Sequence, residues 1–156
     1  MEQITSVSND RVKHVVRLQR QSDARREAGL FCIEYDRDLQ RAIDHDFVIR
    51  QVYHCPAVGP LPERIPANRV IEVTPPVLAK MAYRENPQGF VAVLEAKSCR
   101  LDDLPQQRAP LFVVCSGVEK PGNLGAVLRS ADAAGASAVF IDSPDYDLFN
   151  PNCIRA

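Results

Sequence analysis

Between residues 111 and 142 the sequence has a strand–helix–strand pattern that restricts the folds available to it. Residues 111–115 (LFVVC) are apolar at every position, and residues 138–142 (AVFID) are nearly so. A strand that is apolar on both faces is typical of a parallel sheet covered by helices on both sides. The intervening residues 124–134 (LGAVLRSADAA) have a helical pattern that ends at Gly135. The segment therefore predicts one right-handed βαβ unit.

The sequence after this unit indicates the start of another helix. Asn150 and Pro151 have the order expected of a helix cap followed by a first helical turn. The printed sequence stops at Ala156, inside that helix, after two strands and one complete helix. Since so small a sheet cannot bury two apolar strands, we expect an incomplete second domain and a longer natural protein. The alternative is that both strands extend the sheet of the preceding domain.

A mixture of strands and helices precedes the unit. Helical patterns and apolar runs predict helices over 9–22, 36–45 and 75–83 and strands over 30–34, 47–53, 69–73 and 90–95. Alternating strands and helices favour an α/β sandwich. We therefore expect a first domain over 1–96, an interdomain linker over 97–110, where the apolar pattern is lost, and the start of a second α/β domain over 111–156.

The composition is that of an ordinary folded protein, with 46% hydrophobic and 25% charged residues. No apolar run approaches the roughly 20 residues that a membrane helix needs, and the N-terminus lacks the apolar core of a signal peptide. We therefore expect a cytoplasmic protein without membrane contact. Its five cysteines have no C-x-x-C spacing, which favours buried thiols over disulfides or a metal site.

Cations are concentrated near the N-terminus, although the net charge is −1. From residue 11 to residue 26 there are six cations and one anion. Lys13, Arg17 and Arg20 share one face of the first predicted helix. A polyanion could bind there, and nucleic acid is the best candidate, while charge alone leaves a solvated helix face equally open. The candidate contacts are Arg11, Lys13, Arg17, Arg20, Arg25 and Arg26.

The turn over residues 116–123 (SGVEKPGN) joins the apolar strand to the following helix and could hold an anion. Backbone N–H groups at such a helix start favour negative charge. The turn matches neither a P-loop nor G-x-G-x-x-G, so its spacing alone favours a tight βα connection. Arg129 follows near the sheet edge where α/β proteins bind ligands. With Asn123 it could hold a phosphate and a ribose, or it could instead pair with Asp132.

The string GVEKPGNLGAVLRSADAAGASAVFI resembles motif 1 of the SpoU/TrmH-type RNA 2′-O-ribose methyltransferases, members of the knotted superfamily that uses S-adenosylmethionine. The motif core N-x-G-x-x-x-R is present as Asn123, Gly125 and Arg129. FNPNCIRA resembles the stretch after the family's next strand. ITSVSNDRVK, FCIE followed by Arg37, and NPQGFVAV resemble the family's substrate-binding domain, which is similar to ribosomal protein L30e. Tyr35 stands where the family usually has glycine.

This resemblance implies an L30e-like α/β/α sandwich, followed by the first part of a Rossmann-like parallel methyltransferase domain without its knot. It implies that Arg129 helps to deprotonate the ribose 2′-hydroxyl, that Asn123 positions the ribose, and that Arg37 contacts RNA. Because free arginine keeps its proton at neutral pH, stabilising a developing alkoxide is the physically easier role for Arg129.

The family's motifs 2 and 3 form the knot, the S-adenosylmethionine pocket and most of the dimer interface, and none of them is in this sequence. The resemblance thus implies a methyltransferase of rRNA or tRNA, homodimeric at full length, whose cofactor pocket lies in the missing C-terminal part. We expect the 156-residue chain itself to bind no S-adenosylmethionine and to transfer no methyl group. Two alternatives stay open: a non-catalytic L30e-like RNA-binding protein, and a nucleotide-binding α/β protein that uses the Gly122–Gly125 turn.

Overall fold

The computed structural model describes residues 2–104, 107–118, 120–142 and 146–156. The chain divides into two units, Met1–Lys97 and Ser98–Ala156. Two residues of the expected linker, 105 and 106, and residue 119 of the glycine-containing turn lie outside the described ranges. Each unit is described below by itself.

The first unit is built on a mixed sheet, to which five strands contribute within residues 2–97. In chain order its elements are β1 (Gln3–Ile4), α1 (Asp10–Arg20), α2 (Ser22–Ala28), β2 (Leu30–Ile33), α3 (Asp36–Asp44), β3 (Ile49–His54), β4 (Val70–Val73), α4 (Pro75–Met81) and β5 (Phe90–Glu95). The strand order across the sheet is β1-β4-β3-β5-β2. β4 is parallel to β1 and β3, whereas β5 is antiparallel to β3 and β2.

The core of the first unit includes the apolar faces of α1 and α4. Val12, Val15 and Leu18 of α1 are fully buried in one cluster with Val77 and Met81 of α4 and with strand residues of the sheet. The spacing of three residues keeps the α1 members on one helix face. The packing therefore turns the opposite, charged face of α1 towards solvent.

Helix α2 is an element that the sequence pattern does not predict. Instead of one helix over 9–22, α1 ends at Arg20, and Gln21 adopts an extended conformation (φ −122°, ψ 120°) before α2 begins. Residues 22–28 contain only two alanines as apolar positions, so no apolar stripe indicates a helix there. The predicted cap of α1 is present, because the Asn9 side chain accepts a hydrogen bond from the N–H of Arg11 at 2.9 Å.

The second unit contains the strand–helix–strand pattern that the sequence predicts. β6 (Phe112–Cys115) and β7 (Ala138–Ile141) are parallel, and α5 (Pro121–Ala133) connects them. They form a two-stranded sheet of their own rather than extending the five-stranded one. α5 begins at Pro121, three residues before the predicted start, because proline fits the first helical turn. α6 (Pro151–Arg155) follows and packs against α5.

Strand β6 is covered on only one of its faces within the described residues. Phe112 is 45% exposed and Val114 is 71% exposed, whereas Cys115 is 4% exposed. Val113 lines an apolar groove with Ala126 and other residues of α5, and alternate side chains of a strand point to opposite faces. Within the described residues, α5 covers one face of β6 and leaves the other face, with Phe112 and Val114, exposed.

None of the helices within the described ranges combines the length and the apolar character that crossing a membrane would require.

Candidate functional site

The exposed side of α1 carries the first candidate site, which we call the α1 basic face. All of its members are exposed. Lys13, Arg17 and Arg20 lie on the side opposite the buried valines, whereas Arg11 lies in the first turn of the helix. Phosphate backbones attract such surfaces through their charge. The α1 basic face consists of Arg11, Lys13, Arg17 and Arg20.

Two cations of the α1 basic face form ion pairs within the chain. Arg11 lies 2.9 Å from the Glu2 carboxylate, and Lys13 lies 2.9 Å from Asp10. The hydrogen bond that Arg11 donates to the Glu2 carboxylate raises the pKa of Arg11, and the hydrogen bond that Lys13 donates to Asp10 lowers the pKa of Asp10. All four groups are exposed, and ion pairs of this kind contribute little to stability. A phosphate can therefore replace these carboxylates at little cost to the fold.

The three other predicted RNA contacts have different environments. Arg25 is only 4% exposed and donates a hydrogen bond to the carbonyl of Leu18, so we remove it from the candidate surface. Arg26 is exposed and donates to the Ser22 hydroxyl at 3.2 Å. Arg37 is exposed on α3, 3.1 Å from Asp38.

The start of α3, next to Arg37, is held by a residue that sequence reasoning did not single out. The Gln88 side-chain oxygen accepts a hydrogen bond from the backbone N–H of Asp36 at 3.0 Å. Tyr35 precedes α3 in an extended conformation (φ −122°) and makes no side-chain cap. A glycine is therefore not required at that position, and the distant Gln88 supplies the missing acceptor. The 52-residue separation of Gln88 from Asp36 left no local signal for this contact.

The second candidate site lies in the second unit, where the carboxyl ends of β6 and β7 meet. Ser116 directly follows β6, and its hydroxyl donates a hydrogen bond to the Asp142 carboxylate, which directly follows β7. Gly117 then turns the chain with φ +68°, a conformation that favours glycine. This edge is where α/β sheets bind ligands.

Asn123 and Arg129 both project from α5 and are both exposed. Six residues separate them, which corresponds to about 9 Å along the helix axis and about 120° around it. The Arg129 guanidinium donates a hydrogen bond to the backbone carbonyl of Ala156, at the end of α6. The two residues therefore define an extended site rather than one clustered pair, and one end of that site is held by α6.

We next consider whether the described histidines, cysteines and carboxylates form a metal or catalytic site. Within the described ranges, no group of three or more His, Cys, Asp or Glu residues could hold a metal ion. His54 is nearly buried, and its ring lies 3.0 Å from the Gly59 carbonyl, an environment that fits a structural histidine. All five cysteines are free, and only Cys99 is exposed.

Fold and sites together define a two-part α/β protein, in which a mixed-sheet domain with a basic helix precedes a βαβ unit carrying an N-x-G-x-x-x-R motif. Residues 9–92 match the model of the MRM3-like substrate binding domain, and residues 110–156 match that of the SpoU rRNA Methylase family. Since the first match covers more than half of the chain, the chain belongs to the MRM3-like substrate-binding domain family.

The chain is also similar to named proteins of greater length. It is 27% identical over 161 residues to the 23S rRNA (guanosine(2553)-2′-O)-methyltransferase RlmP of Bacillus subtilis, covering 100% of this chain and 60% of that protein. A crystal structure of an RNA 2′-O ribose methyltransferase superposes with a TM-score of 0.79 and 36% identity, over 98% of this chain and 60% of the other. The crystal structure of the AdoMet-bound rRNA methyltransferase from Sinorhizobium meliloti superposes with a TM-score of 0.84 and 32% sequence identity. The match covers 99% of this chain and 59% of the other. The chain thus spans about 60% of the length of these relatives.

Proposed function

We propose that this chain is the RNA-binding part and motif-1 segment of an S-adenosylmethionine-dependent 2′-O-ribose methyltransferase that acts on ribosomal RNA. The observation that carries the proposal is the position of Asn123 and Arg129. Both lie on the helix that follows a parallel strand, in a unit whose sequence matches the SpoU family. The names of the relatives support rRNA as the substrate. We further propose that the full-length protein is a homodimer, as the family resemblance implies, and that it is cytoplasmic and holds no metal.

The α1 basic face supplies the RNA contact in this proposal. Its cations neutralise backbone phosphates, which releases counterions and makes binding salt-dependent. Arg26 and Arg37 are exposed and add to this surface in our proposal. Such contacts position the RNA without reading its bases, so this face contributes affinity rather than the choice of nucleotide.

Arg129 supplies the charge at the reacting ribose in our proposal. A guanidinium has five N–H donors in a fixed plane, and the Ala156 carbonyl engages one nitrogen of Arg129. The remaining donors can stabilise the negative charge that develops on the 2′-oxygen as it loses its proton. Asn123, farther along α5, orients the ribose or a neighbouring phosphate. The 2′-hydroxyl is the group that distinguishes RNA from DNA at this site.

The groove between β6 and α5 does not fit S-adenosylmethionine. Its lining consists of Val113, apolar residues of α5 and a single hydroxyl, that of Ser130. An adenosine and an amino acid group both need several polar partners in a binding site. This groove is therefore not the cofactor pocket. As the family resemblance implies, we propose that the pocket lies outside residues 1–156, and that this chain alone neither binds the cofactor nor transfers a methyl group. In the complete enzyme the cofactor would supply the methyl group.

Methyl transfer by the natural gene product tests this function. Purified protein, labelled S-adenosylmethionine and ribosomal RNA should give label in the RNA, and replacing the target ribose by deoxyribose should abolish it. Arg129→Ala should lower the rate by about 100-fold, the size of effect seen when one charge-stabilising donor is lost. The matched control is Arg64→Ala, which removes an exposed arginine paired with Asp44 in the first unit. Equal rates in both variants would contradict the role of Arg129.

A second experiment tests RNA binding by the 156-residue chain itself. Replacing Lys13, Arg17 and Arg20 by glutamine should reduce the slope of log affinity against log salt by about 2, for three phosphate contacts on single-stranded RNA. Replacing Arg41, Arg50 and Arg64 by glutamine makes the same change of charge away from α1 and should leave the slope unchanged. Equal slopes in the two triple variants would exclude α1 as the docking face.

A non-catalytic RNA-binding protein is the second candidate. The observation that favours it is that the basic face lies entirely within the first unit, while the groove of the second unit does not fit the cofactor. This candidate predicts RNA binding with no methyl transfer by the natural gene product under any of the conditions above.

A further inference from the structure

Gly125 of α5 lies directly against α6 and the residue that follows it. A Cβ atom at this position would lie 2.4 Å from the Cys153 carbonyl oxygen and 2.6 Å from the Ala156 Cβ. Real Cβ atoms do not approach a backbone oxygen so closely, so any side chain here would displace α6. Gly122, one turn earlier in the same helix, has no atom within 4 Å of an added Cβ. The two glycines of α5 are therefore not equivalent.

Arg129 contacts the same end of α6 from the next turn of α5. Residues four apart lie on one face of a helix, so Gly125 and Arg129 both face α6. The former touches the backbone of its last turn, and the latter donates to the Ala156 carbonyl. The other end of α6 is also fixed, because the Asn150 side chain accepts a hydrogen bond from the N–H of Asn152 at 2.9 Å.

We propose that Gly125 is a positioning residue for Arg129 and that it acts through α6. The missing side chain lets α6 lie directly on α5, and the Ala156 carbonyl then holds one edge of the Arg129 guanidinium. The other edge is presented to solvent in a fixed orientation. The proposal rests on the function proposed above, in which Arg129 acts at the ribose. In this proposal, Gly125 and α6 fix the orientation of the Arg129 guanidinium in the RNA-free protein.

Cys153 reports whether α6 is in place. Its thiol is 5% exposed, Cys115 in β6 is 4% exposed, and Cys99 is exposed. In Gly125→Ala, alkylation of Cys153, followed by peptide mass spectrometry, should accelerate by about tenfold or more, because α6 opens locally. Gly122→Ala should leave the rate unchanged. Cys99 calibrates the reagent, and a parallel rise at Cys115 would identify general unfolding of the unit.

A second test is ¹⁵N NMR of the 156-residue chain, which reports directly on the Arg129 guanidinium. Gly125→Ala should shift the Arg129 side-chain signals towards those of solvated arginines, while Gly122→Ala should not. Arg129→Ala, which adds no Cβ at 125, is the second variant. It should also accelerate Cys153 alkylation, because the hydrogen bond between Arg129 and the Ala156 carbonyl is lost. Unchanged Arg129 signals in Gly125→Ala, or unchanged Cys153 labelling in Arg129→Ala, would overturn the proposal.

Kinetics of the natural gene product separate this proposal from the proposed function. Gly125→Ala should lower kcat by about tenfold or more with little change in KM for RNA, since a misplaced donor weakens the transition state rather than substrate binding. An active wild type with an equally active Gly125→Ala variant would refute the positioning role and leave the function intact. An inactive wild type would refute the function, while the alkylation and NMR results would still decide whether α6 positions Arg129.

Discussion

The Glu34 carboxylate accepts a hydrogen bond from the backbone N–H of Tyr83, 2.9 Å away. Glu34 follows β2, and Tyr83 lies just beyond α4, so this contact joins two segments that are 49 residues apart. The Gln19 side-chain amide of α1 lies 3.4 Å from the same oxygen. Glu34 is 7% exposed, and its carboxylate therefore links three elements of the first unit inside the fold.

Glu34→Ala should lower the free energy of unfolding by about 2–3 kcal/mol, because it leaves the half-buried Tyr83 N–H and the buried Gln19 amide without this acceptor. Glu34→Gln keeps a carbonyl oxygen at the same position and should cost less than half as much. Urea titrations followed by circular dichroism measure both values. Similar stabilities of the wild type and Glu34→Ala would show that water replaces the carboxylate without loss.

The sequence alone does not identify the partners of Glu34. Its position at the end of an apolar strand was predictable, because strands β2 to β5 follow apolar runs that a local pattern detects. The hydrogen-bond donors to Glu34 were not predictable, because the tertiary fold brings Gln19 and Tyr83 next to it. Local patterns do not encode such contacts between distant segments.

Gly59→Ala should destabilise the first unit by about 2 kcal/mol or more, a cost typical of an overpacked interior. A Cβ at Gly59 would lie 2.4 Å from the Gln88 carbonyl oxygen, and Gly89 lies directly against Gly59. The hydrogen bond from the Cys55 N–H to the Gly89 carbonyl, 2.8 Å long, fixes this crossing of two loops. Thermal unfolding of the purified variant measures the loss.

Gly29→Ala is the control for the crossing of Gly59 and Gly89. Gly29 ends α2 with φ +61°, and an added Cβ there meets nothing within 4 Å. The substitution should therefore lower the free energy of unfolding by only about 1 kcal/mol, the penalty for alanine in a left-handed backbone conformation. If Gly29→Ala proved as destabilising as Gly59→Ala, close packing would not explain the larger loss.

Arg25 and Arg17 should respond in opposite ways to the same substitution. Arg25→Ala removes a buried donor and its packing, and should lower the free energy of unfolding by about 1–3 kcal/mol while leaving the salt dependence of RNA binding unchanged. Arg17→Ala removes an exposed cation of the α1 basic face and should leave stability within about 0.5 kcal/mol, while reducing the salt slope. A lower salt slope in Arg25→Ala would show that its guanidinium reaches RNA after all.

The contrast between these two arginines shows what a charge pattern can predict. The period of α1 places Arg17 opposite the buried valines, and the structure shows it there. Arg25 belongs to α2, a helix with no apolar stripe to define its inner face, so its burial depends on packing that the pattern does not encode. The motif-1 helix is similar: its glycine and Arg129 follow from the sequence, whereas its start at Pro121 was missed by three residues and the contact of Arg129 with α6 requires the fold.

Alkaline pH should destabilise the second unit through Cys153. Burial, followed by the nearby charge of Asp147, raises the pKa of this thiol from 9.0 to about 11. A thiol whose pKa is higher in the folded protein binds its proton more tightly there than in the unfolded chain. Raising the pH above the unfolded-state pKa therefore favours the unfolded chain, in which the thiol ionises more easily. The stabilisation is complete below pH 9.0 and is lost as the pH rises towards 11.

Cys153→Ala removes this titration and tests its direction. The wild-type chain should lose more stability than Cys153→Ala between pH 8 and pH 10.5, even if the variant is less stable at pH 8 because its core is less well filled. Urea titrations at both pH values give the difference, and amide hydrogen exchange within α5 and α6 assigns it to the second unit. An equal alkaline loss in the two proteins would show that the Cys153 thiol ionises in the folded state as readily as in the unfolded one.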